Sequence, residues 1–203
     1  MKIEETKLKG VKIITPLVYD DIRGSFFETF KSTLFKSNGL PNNFHQDNQV
    51  RSKKDVLRGL HYQLSEPQGK LVQVVFGSIL DVAVDIRVGS PTFGKYHSIK
   101  LSSRNKKIFY IPEGFAHGFL TLSKEAEILY KATSPWEKSK ERTKSRNGSG
   151  RSQAGTSSRN KDKDGVEKEK RRSSGRERSS SRSIDKSRGN IVENEITKAV
   201  YPS

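Results

Sequence analysis

Leu71-Val72-Gln73-Val74-Val75-Phe76-Gly77-Ser78-Ile79-Leu80-Asp81-Val82-Ala83-Val84-Asp85-Ile86 contains two β-branched, apolar runs on either side of a Gly-Ser break. Each run is shorter than an ordinary helix and rich in valine and isoleucine, which fit a pleated surface. The pattern predicts strands over 71–75 and 79–86, joined as a hairpin at Gly77-Ser78. The same rhythm extends in both directions. Residues 11–14 form an apolar run that ends before Pro16, and 25–30 follow the polar turn Asp20-Asp21-Ile22-Arg23-Gly24. Residues 97–101 alternate, 107–111 stop at Pro112-Glu113-Gly114, and 118–122 with 127–132 read as a second strand pair. Only 30–37 reads as a helix, amphipathic and ended by Asn38-Gly39. Many short strands with turns at close intervals predict an all-β fold, an antiparallel jelly-roll barrel with one short helix. Such a fold can hold a pocket between its sheets.

The chain joins two compositions. Residues 1–141 hold every aromatic except Tyr201, whereas 142–190 hold none and carry 16 Lys and Arg, 6 Asp and Glu, and 12 Ser. The latter segment thus supplies +10 of the formal +16 charge, so the high pI belongs mainly to it and does not describe a basic face on the folded part. We divide the chain into a domain over 1–141, a basic low-complexity segment over 142–190 expected to be disordered, and a short C-terminal segment over 191–203. With no cysteine there is neither a disulfide framework nor thiolate chemistry, which fits a reducing compartment. No apolar run approaches the roughly 20 residues of a membrane helix. The charged start Met1-Lys2-Ile3-Glu4-Glu5 is unlike a signal peptide. The expectation is a cytoplasmic protein without a membrane partner.

Proton-transfer groups and fixed positive charge are embedded in this β pattern. Val56-Leu57-Arg58-Gly59-Leu60-His61-Tyr62-Gln63 precedes Gln68-Gly69-Lys70-Leu71-Val72, and Ile111-Pro112-Glu113-Gly114-Phe115-Ala116-His117-Gly118-Phe119 forms a second island ahead of Leu129-Tyr130-Lys131. If His61 faces inward, alternation turns Gly59 and Gln63 inward and Arg58 and Tyr62 outward, unless a bulge re-aims them. A lysine is almost never buried without a partner. His61 and Lys70, read as lying on adjacent inward strands, therefore suggest an anionic ligand or a developing oxyanion. Taken alone, His61, His117 and Tyr130 fit a packed core equally well, Arg23 fits a solvated turn, and Gln46-Asp47-Asn48 fits a loop. The four histidines, His45, His61, His97 and His117, lack the spacing of a metal site, and no phosphate-cradling glycine loop is present.

Eight segments, in this order, carry a resemblance: DIRGSFFE at 21–28, QDN at 46–48, VLRGLHYQ at 56–63, QGKLV at 68–72, DVAVDIR at 81–87, SPTFG at 90–94, IPEGFAHGF at 111–119 and LYK at 129–131. Together they make residues 1–141 similar to the dTDP-4-dehydrorhamnose 3,5-epimerases, cupin-type jelly rolls of dTDP-L-rhamnose biosynthesis. The resemblance implies epimerisation of C3 and C5 of dTDP-4-dehydro-6-deoxy-D-glucose, a dTDP-linked 4-keto-6-deoxy sugar. It implies His61 as general base, Tyr130 as general acid and Lys70 as the donor to the C4 oxygen. It further implies Arg23 and Arg58 at the diphosphate, and Phe26 and Glu28 at the thymidine end, reaching over from a partner subunit of a homodimer. Gln46, Asn48 and His117 would line the pocket, Trp136 would stack on thymine, and Glu141 matches a family glutamate among the substrate contacts. No cofactor and no metal is implied.

The family continues past the tyrosine with a Trp-x-Asp-Pro segment whose aspartate pairs with the catalytic histidine; no such segment follows Glu141. The expectation is therefore a base without its orienting carboxylate and a domain with its C-terminal closure missing or altered. Two alternatives follow: a nucleotide-sugar-binding cupin impaired in catalysis, or an epimerase acting at a single carbon. The Arg-Ser steps of the tail, as in Arg151-Ser152 and Arg172-Ser173, allow a different class, salt-dependent binding of RNA or another polyanion through the tail alone.

Overall fold

A computed structural model describes residues 1–143. The readings of 142–190 and 191–203 lie, beyond Thr143, outside the described residues. Among the described residues thirteen strands and one helix are formed, in the order β1 (Lys2–Glu5), β2 (Lys12–Thr15), β3 (Val18–Asp21), β4 (Gly24–Phe27), α1 (Ser32–Ser37), β5 (Gln46–Lys53), β6 (Leu57–Gln63), β7 (Lys70–Phe76), β8 (Ser78–Asp85), β9 (Tyr96–Ser102), β10 (Ile108–Ile111), β11 (Phe115–Thr121), β12 (Glu125–Ala132) and β13 (Glu141–Thr143). They build a six-stranded sheet, β1-β2-β10-β7-β12-β5, a five-stranded sheet, β13-β6-β11-β8-β9, and a separate hairpin, β3-β4. All strand pairs are antiparallel.

The core lies between the two sheets. Val72, Val74, Phe109, Ile111 and Ile128 of one pack on Ile79, Ala83, Leu101, Phe115 and Phe119 of the other. The helix lies outside the six-stranded sheet and buries Phe35 with Ile14, Leu71, Ile108 and Tyr110. On the outer face of the five-stranded sheet, Val82, Val84, Ala116 and Leu120 form a smaller cluster with Leu60 and Tyr62. The interior is filled along most of its length, and the site occupies the end that the core leaves polar.

The expected hairpins are not formed. β7 pairs with β10 and β12, whereas β8 pairs with β11 and β9. Gly77 is therefore a corner between sheets. At φ +76 it packs so closely on Ser123 and on the backbone of Glu125 that a Cβ would have no room. The pair expected over 118–122 and 127–132 likewise divides, with β11 in one sheet and β12 in the other. The reason is burial on both faces: β8 and β11 are covered on each side, and consecutive strands that exchange sheets supply that cover. Gln46-Asp47-Asn48, loop-like when read alone, opens strand β5.

Candidate active site

β6 and β11 are out of step by one residue. His61 lies opposite His117 and Arg58 opposite Phe119, three positions on β6 against two on β11. The extra residue is accommodated at Gly59, whose φ is +115. A Cβ there would lie 2.6 Å from Gly118 Cα and 2.7 Å from the His117 carbonyl oxygen. This bulge is what the alternation rule leaves open. It brings Arg58 and His61 to the same cavity, while Leu60 packs in the outer cluster.

The cavity, of about 330 Å³, is lined by Arg58, His61, His117 and Glu141 from the five-stranded sheet. Gln46, Asn48, Lys70 and Tyr130 line it from the six-stranded sheet, and Trp136 from the segment before β13. His61 and Lys70 are thus on facing sheets, not on adjacent strands as the sequence suggested. Nine of the twelve expected site residues meet here. Arg23, Phe26 and Glu28 do not line the cavity of their own chain. They lie on or just beyond the β3-β4 hairpin, where Arg23 is exposed and paired with Asp21 at 2.6 Å, and Glu28 pairs with Lys31 at 3.4 Å.

The walls are tightly held. Register places Lys70 opposite Ala132, and Tyr130 between Val72 and Asn48, so the lysine, the tyrosine and the amides of Gln46 and Asn48 come from three neighbouring strands. Gln46 donates to Asn48 Oδ1 at 2.7 Å and accepts the Trp136 backbone N–H at 2.7 Å. Gln63 anchors the same segment, accepting the Glu137 N–H at 2.9 Å and donating to Glu66 O at 2.9 Å. Arg58 spans the sheets to Ser52 at 2.9 Å.

Burial sets the electrostatics. Lys70 is only 9 % exposed, and its Nζ is 5.9 Å from the Tyr130 ring centroid. Burial lowers its pKa, against the pull of the Glu141 and Asp81 charges. Burial also lowers the pKa of His61; the Glu141 charge opposes this, and the charges of Lys70 and His117 reinforce it. The imidazole is thereby favoured in its neutral, proton-accepting form. Burial raises the pKa of Tyr130, with the Glu141 charge adding to it, which keeps the phenol protonated. A neutral base, a protonated acid and a buried cation therefore converge on one cavity.

Two carboxylates support the histidines. Glu141 Oε1 is 2.9 Å from His61 Nδ1. Asp81 Oδ1 is 2.6 Å from His117 Nε2, with both residues buried. Asp81 received no role from the sequence. Its signal was an acid in phase with the inward row Ile79 and Ala83, since a buried charge requires a partner. Among the described residues no group of three or more His, Asp or Glu could hold a metal ion. No helix of the described residues is long and apolar enough to cross a membrane.

A family model described as dTDP-4-dehydrorhamnose 3,5-epimerase matches residues 5–149. The chain belongs to the dTDP-4-dehydrorhamnose 3,5-epimerase family. The family's member from Methanothermobacter thermautotrophicus is 54% identical over 129 residues, covering 64% of this chain and 70% of that protein. The enzyme of the same name from Pseudomonas aeruginosa is 48% identical over 143 residues, covering 70% of this chain and 79% of that one. Among solved structures, the dTDP-6-deoxy-D-glucose-3,5-epimerase of Legionella pneumophila, in complex with dTDP-4-keto-L-rhamnose, superimposes with a TM-score of 0.68 at 48% identity, covering 70% of this chain and 76% of that one. The epimerase-family fold thus extends to the cavity walls described above.

Proposed function

We propose that this chain epimerises C3 and C5 of dTDP-4-dehydro-6-deoxy-D-glucose to give dTDP-4-dehydro-L-rhamnose, the step expected of the family in L-rhamnose biosynthesis. The observation that carries the reading is the division of labour between the walls: His61 on one sheet, Lys70 and Tyr130 on the facing one. A ketone at C4 acidifies the protons on C3 and C5. His61 removes a proton from one face of a ring lying between the sheets, leaving an enolate. Its oxygen is stabilised by the Lys70 ammonium, which costs no reorganisation because it is already buried there. Tyr130, from the other wall, returns a proton to the opposite face, and the carbon is inverted. Arg58 supplies forked donors to the diphosphate, Gln46, Asn48 and His117 complete the pocket, and Trp136 is offered to the thymine.

The domain that does this spans 1–141, on the same proposal, and β13 crosses its end. The assembly is a homodimer in the cytoplasm. Support for the dimer comes from the β3-β4 hairpin, which pairs with no other described strand and exposes Tyr19, Ile22 and Phe26. On this reading Arg23, Phe26 and Glu28 serve the partner's cavity.

The test is proton NMR of the 4-keto-6-deoxy nucleotide sugar in D₂O with the full chain. Deuterium is expected at both C3 and C5, and His61→Ala should slow both exchanges at least ~10²-fold, the usual worth of a positioned base. Exchange at one carbon only would make the chain a single-carbon epimerase. Absence of exchange with dTDP still bound would make it a binding protein.

A further inference from the structure

Glu141 enters the site by strand pairing. β13 adds to the edge of β6 with Glu141 opposite Gln63, Arg142 opposite Tyr62 and Thr143 opposite His61. In an antiparallel pair, residues opposite each other share a face, and the diagonal neighbour two positions along shares it too. The side chain of Glu141 therefore lies on the cavity face with Gln63, one diagonal step from His61, and closes that step with the 2.9 Å contact to Nδ1. The approach to β13 is held by Gln63, which binds the Glu137 N–H, and by Lys140, which pairs with Glu66 at 2.9 Å and Glu137 at 2.7 Å. The backbone N–H groups of Lys140 and Glu141 both reach the Glu137 carbonyl.

We propose that Glu141 is the positioning carboxylate of His61, holding the imidazole with its proton on Nδ1 so that Nε2 is the base presented to the sugar. The proposal rests on the epimerase reading of the cavity. It replaces two expectations from the sequence, that the base lacks an orienting carboxylate and that Glu141 touches substrate. Next to an imidazole a carboxylate fixes the tautomer and stabilises the imidazolium formed when the proton is taken. Its charge also acts on the other two groups, favouring the charged form of Lys70 and the protonated form of Tyr130. For Lys70 and Tyr130 this bias is toward the states that the reaction uses, whereas at His61 the same charge opposes the lowering caused by burial, and what the carboxylate supplies there is the tautomer and the stabilised imidazolium.

Two measurements on the full-length chain test this. Long-range ¹H–¹⁵N NMR of His61 should show the neutral ring protonated on Nδ1. In Glu141→Gln, isosteric and only partly buried, the His61 pKa should fall, because an attractive negative charge has been removed. The acid limb of kcat/KM should move down with it, and kcat should drop at least ~10-fold, while KM changes little. A neutral His61 protonated on Nε2 would overturn the proposal. So would a Glu141→Gln protein in which KM rises while kcat and the His61 titration stay put, which would return Glu141 to substrate contact. Exchange by the unmodified chain separates the two layers. If that chain exchanges nothing, the proposed reaction fails, and the tautomer and titration still decide the role of Glu141.

Discussion

At the residue scale, the site depends on burying a charge that water would otherwise hold. Lys70 contributes little to folding, because an ammonium gains nothing from burial unless something compensates it. The compensation in the free protein is an aromatic face at 5.9 Å and the charges of Glu141 and Asp81. The remainder is available to a negative charge forming on the substrate. Lys70→Ala should therefore lower kcat by ~10²–10³-fold, the cost of removing one preorganised donor from a developing oxyanion. Affinity for dTDP should hardly change, since the nucleotide does not carry that oxygen. Steady-state kinetics beside calorimetric titration with dTDP separate the two effects, and equal losses in both would move Lys70 to nucleotide binding. Its importance was legible in the sequence, since a lysine beside a run such as Leu71-Val72 raises the question of what compensates it. The identity of its facing group was not, because Tyr130 is 60 positions away in the chain.

At the scale of elements, the strands were readable and their partners were not. Alternation and turn residues located the strands that became β2, β7, β8, β9, β10, β11 and β12, and Asn38-Gly39 ended the helix. A Gly-Ser break, however, looks the same whether the chain folds back within one sheet or crosses to the other. At Gly77 the decision is made by Ser123 and Glu125, nearly fifty residues away. The β6 bulge is similar: an Arg-Gly-Leu-His run shows only that Gly59 is permissive, while the close approach of Gly118 requires it. Gly59→Ala should therefore be costly on two counts. A non-glycine residue at that φ carries strain on the order of 1–3 kcal/mol, and its Cβ would meet backbone at 2.6 Å, which cannot swing aside as a side chain can. The melting temperature should fall, and exchange at C3 and C5 should fall further than stability explains, because the bulge brings both Arg58 and His61 to the cavity. A variant as stable and as active as the parent would show that the strand can absorb the extra residue elsewhere.

At the scale of the whole molecule, the cavity as one chain builds it is chemically uneven. The proposed base, acid and oxyanion donor line it together with Arg58, whereas Arg23, Phe26 and Glu28, on or just beyond the β3-β4 hairpin, do not. Exposed Ile22 and Phe26, at 105% and 67%, are an unusual termination for a hairpin that pairs with no other described strand, and they make sense as a surface that a second copy covers. An isologous pair would give each chain's hairpin to the other's cavity, so every site would need two chains. That arrangement makes a prediction that no single-chain site shares. A His61→Asn chain has a dead cavity but a sound hairpin; a chain with Arg23→Ala and Phe26→Ala has a sound base but a crippled hairpin. Each alone should be nearly inactive as a homodimer. Unfolded together and refolded at equal ratio, half the dimers are mixed, and each mixed dimer regains one complete site, so about a quarter of the parent's activity per chain should return. Light scattering would show the dimer, and the NMR exchange assay would show the recovery. A mixture no more active than its components would confine the hairpin to its own chain and leave Arg58 to hold the diphosphate without Arg23.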